Sequence, residues 1–336
     1  MKIAIDAMGG DFAPGEIVRG AVEAANAYPV EIVLVGRQEA IEPLLRRGGY
    51  REEAISIVHA PEVIGMDEHP VNAIKEKKAA SIVVATELVR DGKAQAVVSA
   101  GSTGAAMASA LLRLGRIRGV ERPAIGSPFP TLKGVSLLTD AGANADCRPG
   151  HLVQFAQMGS VYAERVWGMP GPSVGLLNIG EEAAKGNELT QEVYGRLLGS
   201  GLNFIGNVEG RDVPAGKAQV VVCDGFVGNV VLKLAEGLAG ALFAMMKEEF
   251  QAGLAAILLP GLRKIKRRMD YTEYGGAPLL GVNGVAIISH GSSNAKAIRN
   301  AIRVAKEAVE KDVVGTIARV LHEKSQGKEE GKEDEK

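Results

Sequence analysis

Leu176–Leu189 reads Leu-Leu-Asn-Ile-Gly-Glu-Glu-Ala-Ala-Lys-Gly-Asn-Glu-Leu, and its first residues close an apolar run that starts at Ser173. A short, continuous apolar run suits a strand buried on both faces, and the residues beyond, Glu188–Leu198, carry a helical pattern. The polar, glycine-containing loop between them is therefore a strand-to-helix junction. Cys223–Val231 (CDGFVGNVV) and His290–Asn294 (HGSSN) repeat the arrangement. Open α/β sheets keep their ligand loops at such junctions, just beyond the carboxyl ends of the strands. The same alternation runs along the chain. Strand-like runs are Lys2–Ile5, Glu31–Val35, Ile55–Val58, Ala96–Ser99, Ala124–Ser127, Val135–Thr139, Ser173–Asn178, Asn203–Ile205, Val220–Cys223 and Val285–Ser289. Helix-like runs are Glu16–Ala27, Ala73–Arg90, Gly104–Leu114, His151–Val166, Glu188–Leu198, Asn229–Phe250 and Ser292–Leu321. The order predicts an α/β fold with a mostly parallel sheet covered by helices on both faces.

With 336 residues, 46 % hydrophobic and 24 % charged, the chain has the composition of a globular protein with a large core. It is expected to form one α/β catalytic domain over residues 1–322, with a protruding segment at 251–270 and a disordered charged tail at 323–336. Formal net charge is −1 and aromatics make up 4 %. No global field draws in nucleic acid, and base-stacking side chains are scarce. The two cysteines, Cys147 and Cys223, lie far apart without a CxxC pair, which fits a reducing cytoplasm. The chain enters a strand at once with no signal peptide, and no apolar run reaches the roughly 18 residues of a membrane span. Clustered Cys and His for zinc and a G-x-S-x-G elbow are absent, so neither a metal nor a covalent serine is expected, and no cofactor is implied.

The junction loops offer polar groups whose roles their spacing leaves open. Ser99–Ala105 (SAGSTGA) places Gly101, Ser102 and Thr103 where backbone and hydroxyl donors cradle an anion, or where small residues let a helix pack on the sheet. Asp6 and Asp11 flank the Gly9-Gly10 turn and either touch a ligand or order the turn. Asp140 and Asn144 either position a ligand or cap the next helix. Lys75, Lys77 and Lys78, with Ser81, read as a solvated face or an anion contact. His290, flanked by serine and glycine, is structural or functional.

Taken in order, these loops resemble the bacterial phosphate acyltransferase family, the PlsX-type acyl-ACP:phosphate acyltransferases. The matching segments are Ile5–Gly10 (IDAMGG), Ser99–Ala105, Arg122–Ile125 (RPAI), Asp140–Asp146 (DAGANAD) and Leu177–Leu189 (LNIGEEAAKGNEL). They continue with Gly206–Arg211 (GNVEGR), Asp224–Asn229 (DGFVGN), Leu279–Gly284 (LLGVNG) and His290–Ser292 (HGS), so the match spans residues 1 to about 322. Ser102 stands where the family more often has asparagine. The resemblance implies a homodimeric, three-layer α/β/α, Rossmann-like protein similar in fold to phosphotransacetylases and isopropylmalate dehydrogenases. It implies conversion of acyl-ACP and inorganic phosphate to acyl phosphate and free acyl carrier protein (ACP). The acyl phosphate would then feed a membrane glycerol-3-phosphate acyltransferase in phospholipid synthesis. Phosphate can attack a thioester directly, and a thiol with a reference pKa of about 8.5 leaves readily, so no protein nucleophile is required. The protein supplies orientation and charge stabilisation. On this basis Lys185 holds phosphate, Asn229 orients phosphate or donates to the oxyanion, and His290 binds phosphate or protonates the thiolate. Gly101, Ser102 and Thr103 add donors, while Asn178, Asp6, Asp140 and Asn144 order the loops. An acyl-CoA-dependent enzyme and a lipid-responsive membrane scaffold are the alternative readings.

Leu254–Met269 departs from the alternation. Leu258, Leu259 and Leu262 belong to an apolar cluster broken by Pro260-Gly261, and Arg263, Lys264, Lys266, Arg267 and Arg268 surround Ile265. An apolar tip with a basic collar suits peripheral contact with an anionic membrane, or docking of acidic ACP.

Overall fold

The structure, a computed structural model, describes residues 1–46, 49, 52–249, 261, 264–265 and 267–333. Its strands are β1 (Lys2–Asp6), β2 (Glu31–Gly36), β3 (Ile55–His59), β4 (Ala96–Ser99), β5 (Ala124–Thr131), β6 (Gly134–Thr139), β7 (Val174–Asn178), β8 (Phe204–Glu209), β9 (Val220–Val222), β10 (Ala277–Leu280) and β11 (Val285–Ile288). Its helices are α1 (Gly15–Ala27), α2 (Gln38–Leu45), α3 (Pro70–Glu76), α4 (Ser81–Arg90), α5 (Thr103–Ser109), α6 (Pro149–Trp167), α7 (Glu188–Leu198), α8 (Asp212–Ala215), α9 (Gly225–Glu249), α10 (Tyr271–Tyr274), α11 (Ala295–Glu310) and α12 (Val313–Glu333). The strands form one sheet in the order β3-β2-β1-β4-β11-β10-β5-β6-β9-β7-β8.

Side-chain alternation along the strands divides the core. Ile3, Ile5, Ile32 and Leu34 face one side, beneath Ile17 of α1, Phe155 and Tyr162 of α6, Leu197 of α7 and Ile298 and Ile302 of α11. Ala4, Val33, Val35 and Val97 face the other, against Ile74 of α3 and Ile82 and Val83 of α4. Farther along, Leu138, Val221 and Cys223 meet Val231 and Leu232 of α9. Each fully buried isoleucine or leucine contributes roughly 1.5–3 kcal/mol.

The sheet is less uniform than the sequence suggests. Among the described residues seven pairings are parallel and three antiparallel. β5 and β6 form a hairpin, and β10, a strand the apolar pattern does not announce, runs antiparallel to both β11 and β5. β10 pairs with β5 at Ala124 and Ile125, so the rest of that edge of β5 lies beyond the pairing. Pro128 and Pro130, which lack a donor for a ladder, sit in this stretch. Two expected long helices are broken. Ala73–Arg90 divides into α3 and α4, where Ser81 N–H donates to Glu62 O at 3.1 Å and draws the chain into an isolated bridge. Ser292–Leu321 divides at Asp312, whose φ is +47° and whose carboxylate accepts from Gly315 N–H at 3.2 Å.

α12 continues through residues 323–333, which composition predicts to be an unstructured tail; Lys, Glu and Gln are good helix formers, and extending an anchored helix avoids the nucleation cost. α9 corrects another expectation. By length and composition Gly225–Met246 is apolar enough to cross a membrane, with mean hydropathy 1.5 and 6 % of it buried. It is nonetheless two-faced. Val231, Leu232 and Ala235 pack on the sheet, while Phe226, Val230, Leu234, Leu238, Leu242 and Met245 make an exposed stripe at three- and four-residue spacing.

Candidate active site

Three junction loops meet beyond β1, β4 and β11. Buried Asp6, at the end of β1, accepts from Ser99 Oγ at 2.7 Å and from Met8 N–H at 3.3 Å, and the Ser81 hydroxyl bonds it as well. Burial pushes the Asp6 carboxyl above the usual range, against those hydrogen bonds. Asp6 thus holds the Gly9 and Gly101 turns together. Asp11 N–H donates to Gly291 O at 2.8 Å, tying the first loop to the histidine loop. Ser81 is engaged by Asp6, and Lys77 Nζ lies 2.7 Å from Glu68 and 3.0 Å from Val63 O. The anion contact considered for that lysine run is not what these two residues make.

Asp140 organises the next loop. Its Oδ1 accepts from the N–H groups of Ile125, Gly142 and Ala143 at 3.0, 3.2 and 3.0 Å. Its Oδ2 accepts from Asn144 N–H and Nδ2 at 2.7 and 2.8 Å. Burial raises the Asp140 pKa while these donors oppose the rise. Asn144 also donates to Pro123 O at 2.8 Å, and its carbonyl accepts from Gly225 N–H at 2.7 Å. The start of α9 therefore rests on the Asp140–Asn144 turn, which explains the glycines of DGFVGN: a Cβ at Gly228 would lie 1.9 Å from Asp140 O. Gly142, at φ +134°, is equally constrained, since a Cβ there would stand 2.7 Å from Asn229 Nδ2. Asn229 itself donates to Ala141 O at 3.4 Å, so its amide is laid across the turn.

Asn229, Thr103 and His290 line a cleft of about 710 Å³ together with residues of α9 and β5, Lys233, Glu236 and Asp270 among them. The volume lies in the range typical of ligand pockets. Its apolar surface comes from Ile125, Phe129, Leu232, Ala239, Phe243 and Met269. His290 Nδ1 accepts from Ser292 N–H at 3.2 Å and lies 2.8 Å from Ser292 Oγ. A neutral ring with Nδ1 as acceptor carries its proton on Nε2. Ser102 Oγ instead caps α5, accepting from Ala105 N–H at 3.4 Å, and Gly101 N–H is taken by Ser99 Oγ at 3.1 Å. The Gly101 N–H is thus already used within the loop, while Ser102 serves there as an acceptor.

Lys185 and Asn178 do not line the cleft. Asn178 Nδ2 donates to Lys185 O at 3.1 Å and so shapes the loop after β7. Five strand spacings separate β7 from β11, about 24 Å at roughly 4.8 Å each. Lys185 is exposed, with no carboxylate within 4 Å among the described residues. Of the basic segment, Leu258, Leu259, Leu262, Arg263 and Lys266 lie outside the described residues. Lys264 is exposed. Arg268 Nη2 donates to Thr131 O at 3.1 Å, and Arg267 pairs with Glu273 at 2.7 Å. Both cations are exposed and also have partners on the body of the protein.

Neither cysteine has the lowered pKa of an activated thiol. Burial, reinforced by Asp140 and Asp224, pushes Cys147 up to about 12, and burial holds Cys223 far above the ordinary thiol value. Glu181, Glu209 and Asp212 bring carboxylate oxygens within 4.8 Å of one another. Lys217 pairs with Glu181 at 2.5 Å and with Asp212 at 3.3 Å, and Arg211 pairs with Glu209, so the trio reads as an ion-pair network. Sequence reasoning missed Ser127–Pro130 as cleft lining; two prolines inside a strand were the available signal.

The α/β/α sheet carries a cleft at its strand ends lined by both apolar and polar side chains. The profile of the family described as "Fatty acid synthesis protein" matches residues 1–316. The phosphate acyltransferase of Desulforamulus reducens is 60 % identical over 334 residues, covering 98 % of this chain and 100 % of the relative. That of Heliobacterium modesticaldum is 59 % identical, covering 94 % and 96 %. The chain belongs to the phosphate acyltransferase family. Its fold is similar to that of a phosphotransacetylase from Streptococcus pyogenes, with a TM-score of 0.65 at 18 % identity over 93 % of this chain and 94 % of the other.

Proposed function

We propose that this acyltransferase uses acyl-ACP as its donor and inorganic phosphate as its acceptor, releasing acyl phosphate and free ACP. The observation that carries it is the lining of the cleft, which combines apolar residues of α9 and β5 with the polar groups of Thr103, Asn229 and His290. An acyl chain lies against the apolar residues and sets its thioester carbonyl among the three polar groups. Phosphate oxygen attacks that carbonyl; Asn229 Nδ2 donates to the oxyanion as charge develops there. Collapse breaks the C–S bond; the sulfur leaves as thiolate, hydrogen-bonded by the His290 Nε2–H, and the proton of the attacking hydrogen phosphate passes to it to give the free thiol. Lys185, exposed in the loop after β7 and away from the cleft, adds positive charge that attracts phosphate to this side of the molecule. A comparison of donors tests the carrier: acyl-ACP is expected to be consumed faster than acyl-CoA at equal concentration, and preference for acyl-CoA would return the enzyme to the phosphotransacetylase type.

The exposed stripe of α9 supports a homodimer. Phe226, Leu234 and Leu238 are 66 %, 67 % and 55 % exposed, a continuous apolar patch of the kind that marks an interface. Light scattering at micromolar concentration is expected to give twice the mass of one chain, and Leu234→Glu with Leu238→Glu to give a single chain. A monomeric wild type refutes the dimer.

The product is an amphiphile, which favours its release beside an anionic membrane, where a glycerol-3-phosphate acyltransferase consumes it. The sequence of residues 251–270 carries this peripheral contact in an otherwise cytoplasmic protein. Leu258→Glu with Leu259→Glu is expected to abolish flotation with phosphatidylglycerol vesicles while turnover of acyl-ACP persists. Unchanged flotation contradicts membrane contact, and lost turnover in a folded variant assigns the segment to ACP or to the cleft.

A further inference from the structure

We infer that a second cavity, of about 650 Å³ and lined by Arg116, Arg122 and Arg148, receives the phosphodiester of the donor's pantetheine arm. The inference rests on the thioester reading of the first cleft and assigns the other end of the same substrate. The two cavities share Met107 and Ala143 as lining. Ala143 belongs to the turn that Asp140 organises and that Asn229 crosses. A thioester whose acyl chain lies along α9 has its carbonyl at this turn, so its sulfur side leads over Ala143 into the second cavity.

The chemistry of that cavity fits a phosphate ester. None of the three arginines has a carboxylate within 4 Å among the described residues; Arg116 donates to a backbone carbonyl, that of Glu121. Glu121 and Asp146 also line the space, but the Glu121 carboxylate is occupied by His151 Nε2 at 3.1 Å. His151 Nδ1 accepts from Arg148 N–H at 3.1 Å, which fixes the ring at the start of α6. The amino-terminal end of this 19-residue helix thus adds its positive pole to the arginines. Arginine's planar fork suits bidentate bonding to phosphate oxygens. The placement also gives RPAI a role: Arg122 faces the cavity while Pro123 O anchors Asn144.

The binding test uses 4′-phosphopantetheine and pantetheine as probes, read by calorimetry without turnover. The wild type is expected to bind the phosphorylated probe about tenfold or more tightly, the scale of one charge-assisted hydrogen bond. Arg122→Gln with Arg148→Gln should remove that preference without moving the thermal transition. Equal binding of the two probes by the wild type, or a preference that survives in the variant, overturns the assignment whatever the enzyme's activity. A kinetic arm separates the sources of phosphate. In the variant, the ratio of kcat/KM for acyl-ACP to that for acyl-pantetheine should fall by a similar factor, with KM for inorganic phosphate unchanged. A raised KM for phosphate with an unchanged ratio would give the cavity to the acceptor instead. Absence of turnover with every thioester in the wild type, beside intact probe discrimination, would refute the reaction and leave the cavity's ligand standing.

Discussion

Alanine at His290 or at Asn229 is expected to lower kcat for acyl phosphate formation by about 100-fold or more, the usual loss when a preorganised charge-stabilising donor is removed. Both side chains line the cleft, and both are oriented by their own loops: His290 through the Ser292 N–H, Asn229 across Ala141 O. Neither is part of the hydrophobic core, so the unfolding transition should stay in place. Lys185→Ala should act differently. Lys185 stands in the loop after β7, away from the cleft, and its loss is expected mainly as a higher KM for phosphate. Steady-state kinetics at varied phosphate separates the two behaviours. Near wild-type kcat in both His290→Ala and Asn229→Ala would remove the proposed site.

The second large effect concerns stability. Asp140→Ala removes the acceptor for five hydrogen bonds, four of them from N–H groups of Ile125, Gly142, Ala143 and Asn144. Leaving buried donors unsatisfied costs about 1–3 kcal/mol each where water cannot replace the acceptor. Part of the loss is offset, because a buried carboxylate is itself costly to ionise and burial raises its pKa here. A net destabilisation of roughly 3 kcal/mol or more is expected, read from the denaturant midpoint. Activity should fall with it, since Asn229 loses the turn on which it lies. A change below about 1 kcal/mol would show that the turn is held by the packing of α9 and not by the carboxylate.

The fold was legible where one period dominates. Runs such as Glu31–Val35 and Ala96–Ser99 are short and continuously apolar, and they form parallel strands within one or two residues of the expected bounds. Reading failed where a local partner overrides the pattern. Ala277–Leu280 is only four residues long and contains Pro278, so neither length nor alternation marks it, and its place is decided by pairing with β5 and β11. The break at Asp312 depends on a single residue with positive φ inside an apolar repeat that continues on both sides. In α9 the repeat marks two faces at once: Val231 lies on the inner one, and Leu234, Leu238 and Leu242 lie on the outer.

The site was legible as a set of loops and not as a geometry. Polar residues at strand ends mark Asp6, Asp140, Asn229 and His290 equally, but their roles differ by what each one faces. Asp6 and Asp140 are saturated by neighbouring loops and hold them in place, whereas Asn229 and His290 reach the cleft. Strand order separates Lys185 from His290, and order within a sheet is not written in the sequence of either loop. The arginines of the second cavity come from positions 116, 122 and 148. Arg116 and Arg122 share one arginine-rich stretch, and the fold brings Arg148, at the start of α6, to the same cavity.

Incubation of the purified protein with palmitoyl-ACP and ³²P-labelled inorganic phosphate tests the reaction itself. The expected result is one labelled acyl phosphate formed for each free ACP released, with no release when phosphate is omitted. Release of ACP without phosphate, or label that never enters an acyl phosphate, would contradict the account.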